Sequence, residues 1–466
     1  MSQMISSAFD AQQKHKYTLR NSNAAQRIDK LTTLRAAIES YEEKIYAALQ
    51  TDLRKNRFES AITELIFIYS EINFAIKNLQ GWMKPRRAGK SISSFLAKNR
   101  IYYEPKGSCL IIAPWNYPFQ LLMSPLISAI AAGNCAILKP SELSPASSAV
   151  IARLIRDCFD EREVCCIAGD AAVATTLLSL PFDHIFFTGS TAIGKLVMQA
   201  AAKNLSSVTL ELGGKSPVII DETADLKKAA EKIAWGKLIN AGQTCIAPDY
   251  VLIPLDLQQR FIEHYKSAVT RMFFTTNGQL NEEVYAKIIN QKHFKRIATL
   301  IDDALDKGAI ASMGAERDEL NQSIYPTVLS RLPAGAAIMK EEIFGPVLPL
   351  ISYQTLSEAI TQVNSRSKPL ALYLFSANKQ NIRYVLKNTS SGGVCVNDVL
   401  LHISNPKLPF GGVNGSGMGS SHGFFGFKAF SHERAVVFQS VFPTSRLIYP
   451  PYQNKFWLLK WVKKFF

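Results

Sequence analysis

The stretch HIFFTGSTAIG, His184 to Gly194, holds four nearly all-apolar residues, then a Thr-Gly-Ser turn, then the start of a helical pattern. A short apolar run with no polar alternation suits a strand buried on both faces, as in a parallel sheet covered by helices. Gly189 permits a tight turn after such a strand, and Gly194 lets the following helix approach. The amide-rich start of that helix, beside Thr188 and Ser190, suits a phosphate or a ribose edge. The match to a dinucleotide fingerprint is loose, because Thr191 replaces the middle glycine.

Working outward, four more runs share this texture: SCLIIAPW (108–115), CAILKPSE (135–142), EVCCIAG (163–169) and VTLELGG (208–214). Helical segments separate them, and each ends in residues able to serve a ligand. Ligands collect at the carboxyl ends of strands in such sheets. Upstream, residues 24–53 and 59–83 carry apolar positions at helical spacing until KPRR breaks the pattern. A nucleotide-binding half is expected over roughly residues 1–210. From Lys215 to Phe410 the alternation resumes with SPVII, YVLIP, LALYLFS and GGVCVN, which predicts a second α/β domain.

Composition bounds the rest. The 466 residues suggest about three domain-sized units. With 47% hydrophobic and 20% charged residues, large cores are available and intrinsic disorder is excluded. The net charge of +15 reads as a solvated surface or as attraction for anions or an acidic membrane face. No zinc-finger spacing or RNP-like motif supports a nucleic-acid partner. Seven cysteines without repeating spacing predict reduced thiols and a cytoplasmic location. The N-terminus lacks the apolar region of a signal peptide, and no uncharged run is long enough to span a bilayer. The terminal KFWLLKWVKKFF gathers Lys460, Lys463 and Lys464 on one helical face, with Trp457, Leu458, Trp461 and Phe465 on others. It fits a membrane interface, or a tail helix packed on the protein or a partner subunit.

The chemistry-bearing residues each admit two readings. Lys139 and Glu142 of LKPSE offer a cation and a carboxylate to a ribose, or form a surface ion pair. Glu211 in LELGGKSP is a general base raised by desolvation, or half of a buried salt bridge. Asn116 in APWNYPF offers uncharged N–H donors to an oxyanion, or is a turn residue. Cys245 in NAGQTCIAPDYV is a nucleophile or inert packing, although its Gly-Gln-Thr flank is poor material for a core wall.

Taken in chain order, PWNYPF, LKPSE, FFTGS, LELGGKSP, GQTC, EEIFGPV and LPFGG resemble the aldehyde dehydrogenase superfamily from about residue 20 to 440. GQTCIAPDYV, KPLALYLFS, SSGGV, GSGMGSSHG and YPP look most like its class 3 branch, which holds fatty and aromatic aldehyde enzymes. The resemblance implies an α/β fold: a Rossmann-like NAD(P)-binding domain (1–83 and 105–210), a catalytic domain (211–415), and a small β bridging or oligomerisation element (84–104 and 425–442). A basic-aromatic tail (443–466) follows. It implies Cys245 as nucleophile, Glu211 as base and Asn116 as oxyanion donor. Lys139 and Glu142 would hold the adenosine ribose, Gly189 and Ser190 would lie at the pyrophosphate, and Thr188 and Gly194 would belong to the cofactor-binding set. Glu342 and Phe344 would position the nicotinamide ribose, and His422 would assist proton handling. NAD is the implied cofactor, with NADP as a second, no metal, a small aldehyde as substrate, and a homodimer as the assembly. The tail would add a weak peripheral membrane contact. Relatives that pass the thioester to phosphate or coenzyme A generally lack the glutamate found here as Glu211, and a non-catalytic relative would lack the cysteine, glutamate or asparagine.

Overall fold

The computed structural model describes residues 2–89, 96–333, 335–441, 446 and 449–464. Five of the six strands in its first sheet are the five apolar runs. The order is Gly417–Met418, Ser207–Glu211, His184–Thr188, Ser108–Ile112, Cys135–Lys139 and Val164–Cys166. All pairings are parallel except that of Gly417–Met418, which lies antiparallel to Ser207–Glu211.

The absence of polar alternation has a direct cause. Cys109, Ile111, Ala136, Leu138 and Phe186 face a core built with the helices Ala24–Leu53, Ile66–Trp82, Gln120–Ala132 and Pro145–Cys158. Their alternates Leu110, Ile112, Ile137, Ile185 and Phe187 face a second core with the helices Ser2–Arg20, Ala171–Leu178 and Thr191–Asn204. Successive side chains point to opposite faces of a strand, so a sheet covered twice needs apolar residues at every position. The Ser2–Arg20 helix completes the cover of this face. It buries Ile5, Phe9 and Leu19, and its Gln12 amide donates to the Ala136 carbonyl at 3.0 Å.

The second helical segment departs from a regular helix. Arg57–Ser60 leads into a π-helical turn, Ala61–Leu65, before the α-helix Ile66–Trp82. The wider turn accompanies an inward Glu64, whose carboxylate accepts the backbone N–H groups of Phe119 and Gln120 at 3.1 and 2.8 Å.

A seven-stranded sheet follows in the order Ile310–Met313, Thr327–Ser330, Val347–Tyr353, Tyr250–Pro254, Pro217–Ile220, Ala371–Phe375 and Gly393–Val396. It is parallel apart from its first strand. The chain crosses from Glu211, at the carboxyl end of one sheet, to Pro217, at the amino end of the other. Loops from the carboxyl ends of the first sheet therefore meet loops preceding the strands of the second. A third sheet pairs Lys98–Pro105 with Arg86–Arg87 and Ser431–Phe438, all antiparallel. Residues 90–95 of the expected 84–104 element lie outside the described residues.

In the tail, Phe456–Val462 forms a short helix with Phe456, Trp457 and Leu459 exposed. Phe465, expected on its apolar side, lies outside the described residues. Among the described residues no helix is long and apolar enough to cross a membrane.

Candidate active site

Cys245 sits on the loop entering the Tyr250–Pro254 strand, behind an unusual backbone. Asn240 and Ala241 adopt left-handed φ values of 50° and 51°, and Gly242 follows at 75°. A side chain at 242 would place its Cβ 2.3 Å from the Gly345 carbonyl oxygen, so glycine is required where these two loops touch. The Gln243 side chain donates to the Asn240 and Lys287 carbonyls and accepts from the Ile289 N–H, all at 3.0 Å. Tyr117 and Thr244 share a hydroxyl hydrogen bond of 2.7 Å. The Ile246 carbonyl accepts from the Tyr373 hydroxyl at 2.5 Å, so the loop is held on both sides of a half-buried Cys245.

The Asn116 amide comes from the turn after the Ser108–Ile112 strand. One of its N–H groups donates to the Gln243 carbonyl at 3.0 Å, and the amide lines the same cavity as Cys245. Glu211, at the carboxyl end of a strand two places along the same sheet, lines the same cavity. The Ser421 hydroxyl donates to Glu211 Oε1, while the Ser421 N–H donates to the Phe410 carbonyl at 2.7 Å. Burial pushes the Glu211 carboxyl up to about 7, with the Ser421 hydrogen bond pulling the other way. That places it where a carboxylate can exchange protons with water near neutrality.

Burial also pushes Glu342 up to about 8, aided by Asp249. Its carboxyl occupies the space a Cβ on Gly213 would need, 2.1 Å away. Burial, then Glu342 and Glu211, drive the Cys245 thiol well above its ordinary range. A nucleophilic role for such a thiol would require transfer of its proton.

The remaining candidates divide by position. Thr188, Gly189, Ser190, Glu342 and Phe344 line the same cavity, about 450 Å³ in volume. Ser190 caps the Thr191–Asn204 helix by accepting from the Ile193 N–H at 3.4 Å. Gly194 packs so closely on Leu212 that a Cβ would stand 2.6 Å from its side chain. Lys139 and Glu142 lie outside the cavity lining and pair with each other at 2.7 Å, Lys139 buried and the Glu142 side chain 44% exposed. His422 also lies outside it. Its ring stacks on Phe410 at 5.0 Å, its Nδ1 is buried without a partner, and burial pushes its pKa down to about 3.

A nicotinamide dinucleotide suits this arrangement. The Thr188 hydroxyl is buried and unpartnered at the cavity wall, beside a helix whose first-turn amides have no partner within the helix. Trp115, His293 and Arg296 also line the cavity and were not singled out as site residues from the sequence. Arg296 donates to the Glu342 and Ile343 carbonyls at 3.3 and 2.6 Å and so braces the EEIFG loop. It lies on the ordinary amphipathic helix Gln291–Asp306, where nothing in the sequence marks it. Ser421 was legible only as part of GSGMGSSHG.

Comparison with known proteins agrees over nearly the whole chain. The pattern of the aldehyde dehydrogenase family matches residues 1–436. The 4,4'-diaponeurosporen-aldehyde dehydrogenase of Staphylococcus aureus is 47% identical over 94% of this chain and 94% of its own. Aldehyde dehydrogenase family 3 member A2 of Mus musculus is 44% identical, covering 94% of this chain and 91% of its own. The substrate-bound structure of Staphylococcus aureus AldH superposes with a TM-score of 0.94 at 44% identity, covering 98% of this chain and 99% of that one.

Proposed function

This chain belongs to the aldehyde dehydrogenase family and oxidises aldehydes with NAD or NADP, and we propose that Cys245, Glu211 and Asn116 carry the chemistry. The observation behind this reading is their convergence on one cavity from two loops and a strand end, beside an unpaired Thr188 hydroxyl and a helix N-terminus.

Cys245 releases its proton to solvent water and adds as the thiolate to the aldehyde carbonyl, forming a thiohemiacetal whose oxyanion is held by the free N–H of Asn116 and the backbone N–H of Cys245. NAD or NADP, held by the residues assigned below, would supply the hydride acceptor. The acyl group is left on Cys245 as a thioester. Glu211 then takes a proton from water, which attacks the thioester and releases the carboxylic acid. Thr188, Gly189, Ser190 and Gly194 are assigned to the pyrophosphate turn, and Lys139 with Glu142 to the adenosine ribose. Glu342 and Phe344 are assigned to the nicotinamide ribose. His422, neutral in its buried site, is assigned a part in proton handling.

The apolar walls formed by Trp115, Leu121, Leu212 and Phe344 favour medium- or long-chain aliphatic and aromatic aldehydes. The first sheet and its helices (1–83 and 105–210) are assigned to cofactor binding, and 211–415 to catalysis. Segments 84–104 and 425–442 are assigned to a homodimer contact. The open edge of Ser431–Phe438, with Val437 and Phe438 exposed, suits that contact. A cytoplasmic enzyme is proposed, with weak membrane contact through the tail (443–466), where exposed Phe456, Trp457 and Leu459 stand beside Lys460, Lys463 and Lys464.

The test is reduced-cofactor formation with NAD and with NADP, against aliphatic aldehydes of rising length and benzaldehyde, with Cys245→Ala alongside. Activity rising with chain length in the wild type and lost in the variant is expected. A folded Cys245→Ala protein with full activity would remove the nucleophile assignment.

A further inference from the structure

Beneath the cavity lies a polar cluster that the proposed chemistry does not use. Lys55 and Glu64 are fully buried side chains whose Nζ and Oε1 pair at 2.8 Å. Glu64 is carried on the π-helical turn Ala61–Leu65, and such turns frequently occur at functional sites. Its second oxygen accepts the N–H groups of Phe119 and Gln120, immediately after the NYP turn. Lys55 Nζ also donates to the Asn116 carbonyl at 3.3 Å and stands 4.1 Å from the centre of the Tyr117 ring. The Asn240 side-chain amide donates to that same Asn116 carbonyl at 2.8 Å. The Asn240 N–H in turn donates to Glu59 Oε1 at 2.9 Å. One group of residues between 55 and 64 therefore grips both the Asn116 turn and the strained backbone five residues before Cys245.

Stability alone does not explain this cluster. Removing two charges from water costs several kcal/mol per ion, and apolar replacements of a buried pair are often as stable. What the pair provides is geometry. With the Asn116 carbonyl held by two donors and one side-chain N–H on Gln243, the orientation of its second N–H is fixed.

We propose that Lys55 is a positioning residue for aldehyde oxidation: paired with Glu64, it fixes the Asn116 turn so that the amide is aimed at the developing oxyanion. This rests on the assignment of Asn116 as oxyanion donor. Lys55 lies outside the cavity lining, and its contact with the site runs through the Asn116 carbonyl and the Tyr117 ring.

The experiment is a double-mutant cycle. The neutral pair Lys55→Met/Glu64→Gln is made in wild-type and Asn116→Ala backgrounds, and kcat, aldehyde KM and the rate of Cys245 alkylation by iodoacetamide are measured. In the wild-type background kcat falls about tenfold or more, because small misplacements of catalytic groups are costly. KM and alkylation, which need no oxyanion donor, stay within about twofold of wild type in that background. In the Asn116→Ala background the same pair costs less than about twofold, the non-additivity expected of residues that act through one another. An equal loss in both backgrounds, or no loss in the wild-type one, overturns the inference. If Asn116→Ala itself keeps full kcat, the oxyanion assignment fails first, so the two failures are told apart. Should the neutral pair not fold, Lys55→Arg carries the same cycle. It keeps the charge balance while its planar fork moves the donor from Asn116. A several-fold loss that vanishes with Asn116→Ala is then expected, and equal losses or none overturn the inference.

Discussion

Ser421→Ala removes the hydroxyl that donates to Glu211 Oε1 and leaves the carboxyl in its desolvated site. The sign is fixed by which form the bond favours. A donor on the carboxylate stabilises the charged state, so its loss raises the Glu211 pKa above its value of about 7. A hydrogen bond to a charged group contributes about 1.5–3 kcal/mol, and one pKa unit is about 1.36 kcal/mol, so the rise is about one to two units. At pH 7 the carboxylate fraction then drops from about half to a tenth or less, a loss of about five- to fiftyfold in the hydrolytic step. The assay is rapid mixing with saturating cofactor and aldehyde from pH 6 to 9.5. The burst reports acyl-enzyme formation, and the later steady phase reports hydrolysis. The variant should keep the burst, slow the later phase at neutral pH, and regain rate toward pH 9. An unmoved limb, or an equal loss at every pH, would refute the coupling of Ser421 to Glu211.

Three further outcomes follow from the same geometry. Glu211→Gln should raise the melting temperature at pH 8 and leave it unchanged near pH 4. The folded pKa of about 7 exceeds the ordinary 4.5, so stability is lost as pH rises through that window, by at most about 3 kcal/mol. A variant no more stable than wild type at pH 8 would contradict this. Gly213→Ala should fold normally, since its Cβ meets only the flexible end of Glu342, yet should weaken cofactor binding several-fold by displacing that carboxyl; unchanged cofactor titration would show that Glu342 does not serve there. Truncation after Tyr452 should abolish weak, salt-sensitive binding to anionic vesicles, and equal sedimentation with and without the tail would exclude membrane contact.

The sequence foretold much of this for identifiable reasons. The run HIFFT and its four companions were legible because burial on both faces leaves an unbroken apolar signal. In the second sheet, SPVII, YVLIP, LALYLFS and GGVCVN carried the same signal, whereas three other strands did not. Val347–Tyr353 has Pro349 near its middle, Thr327–Ser330 begins and ends on hydroxyl residues, and Ile310–Met313 is a half-exposed edge. Cys245, Glu211 and Asn116 each kept two readings in their local settings, and the structure brings the three to one cavity. What supports them was not legible. Ser421 meets Glu211 across 210 residues, and Lys55 meets Asn116 across 61, contacts that no local pattern encodes. The site also lies at amino ends in the second sheet, where the rule of carboxyl-end ligands offers no guide.

The central claim is that one cysteine carries the acyl group and one glutamate releases it. Glu211→Gln enzyme mixed with aldehyde and NAD, quenched in acid and mapped by peptide mass spectrometry tests both at once. About one reduced cofactor per site is expected, with the substrate's acyl group as a thioester on the peptide bearing Cys245. Full steady turnover without an adduct, or an acyl group on another of the seven cysteines, would contradict it.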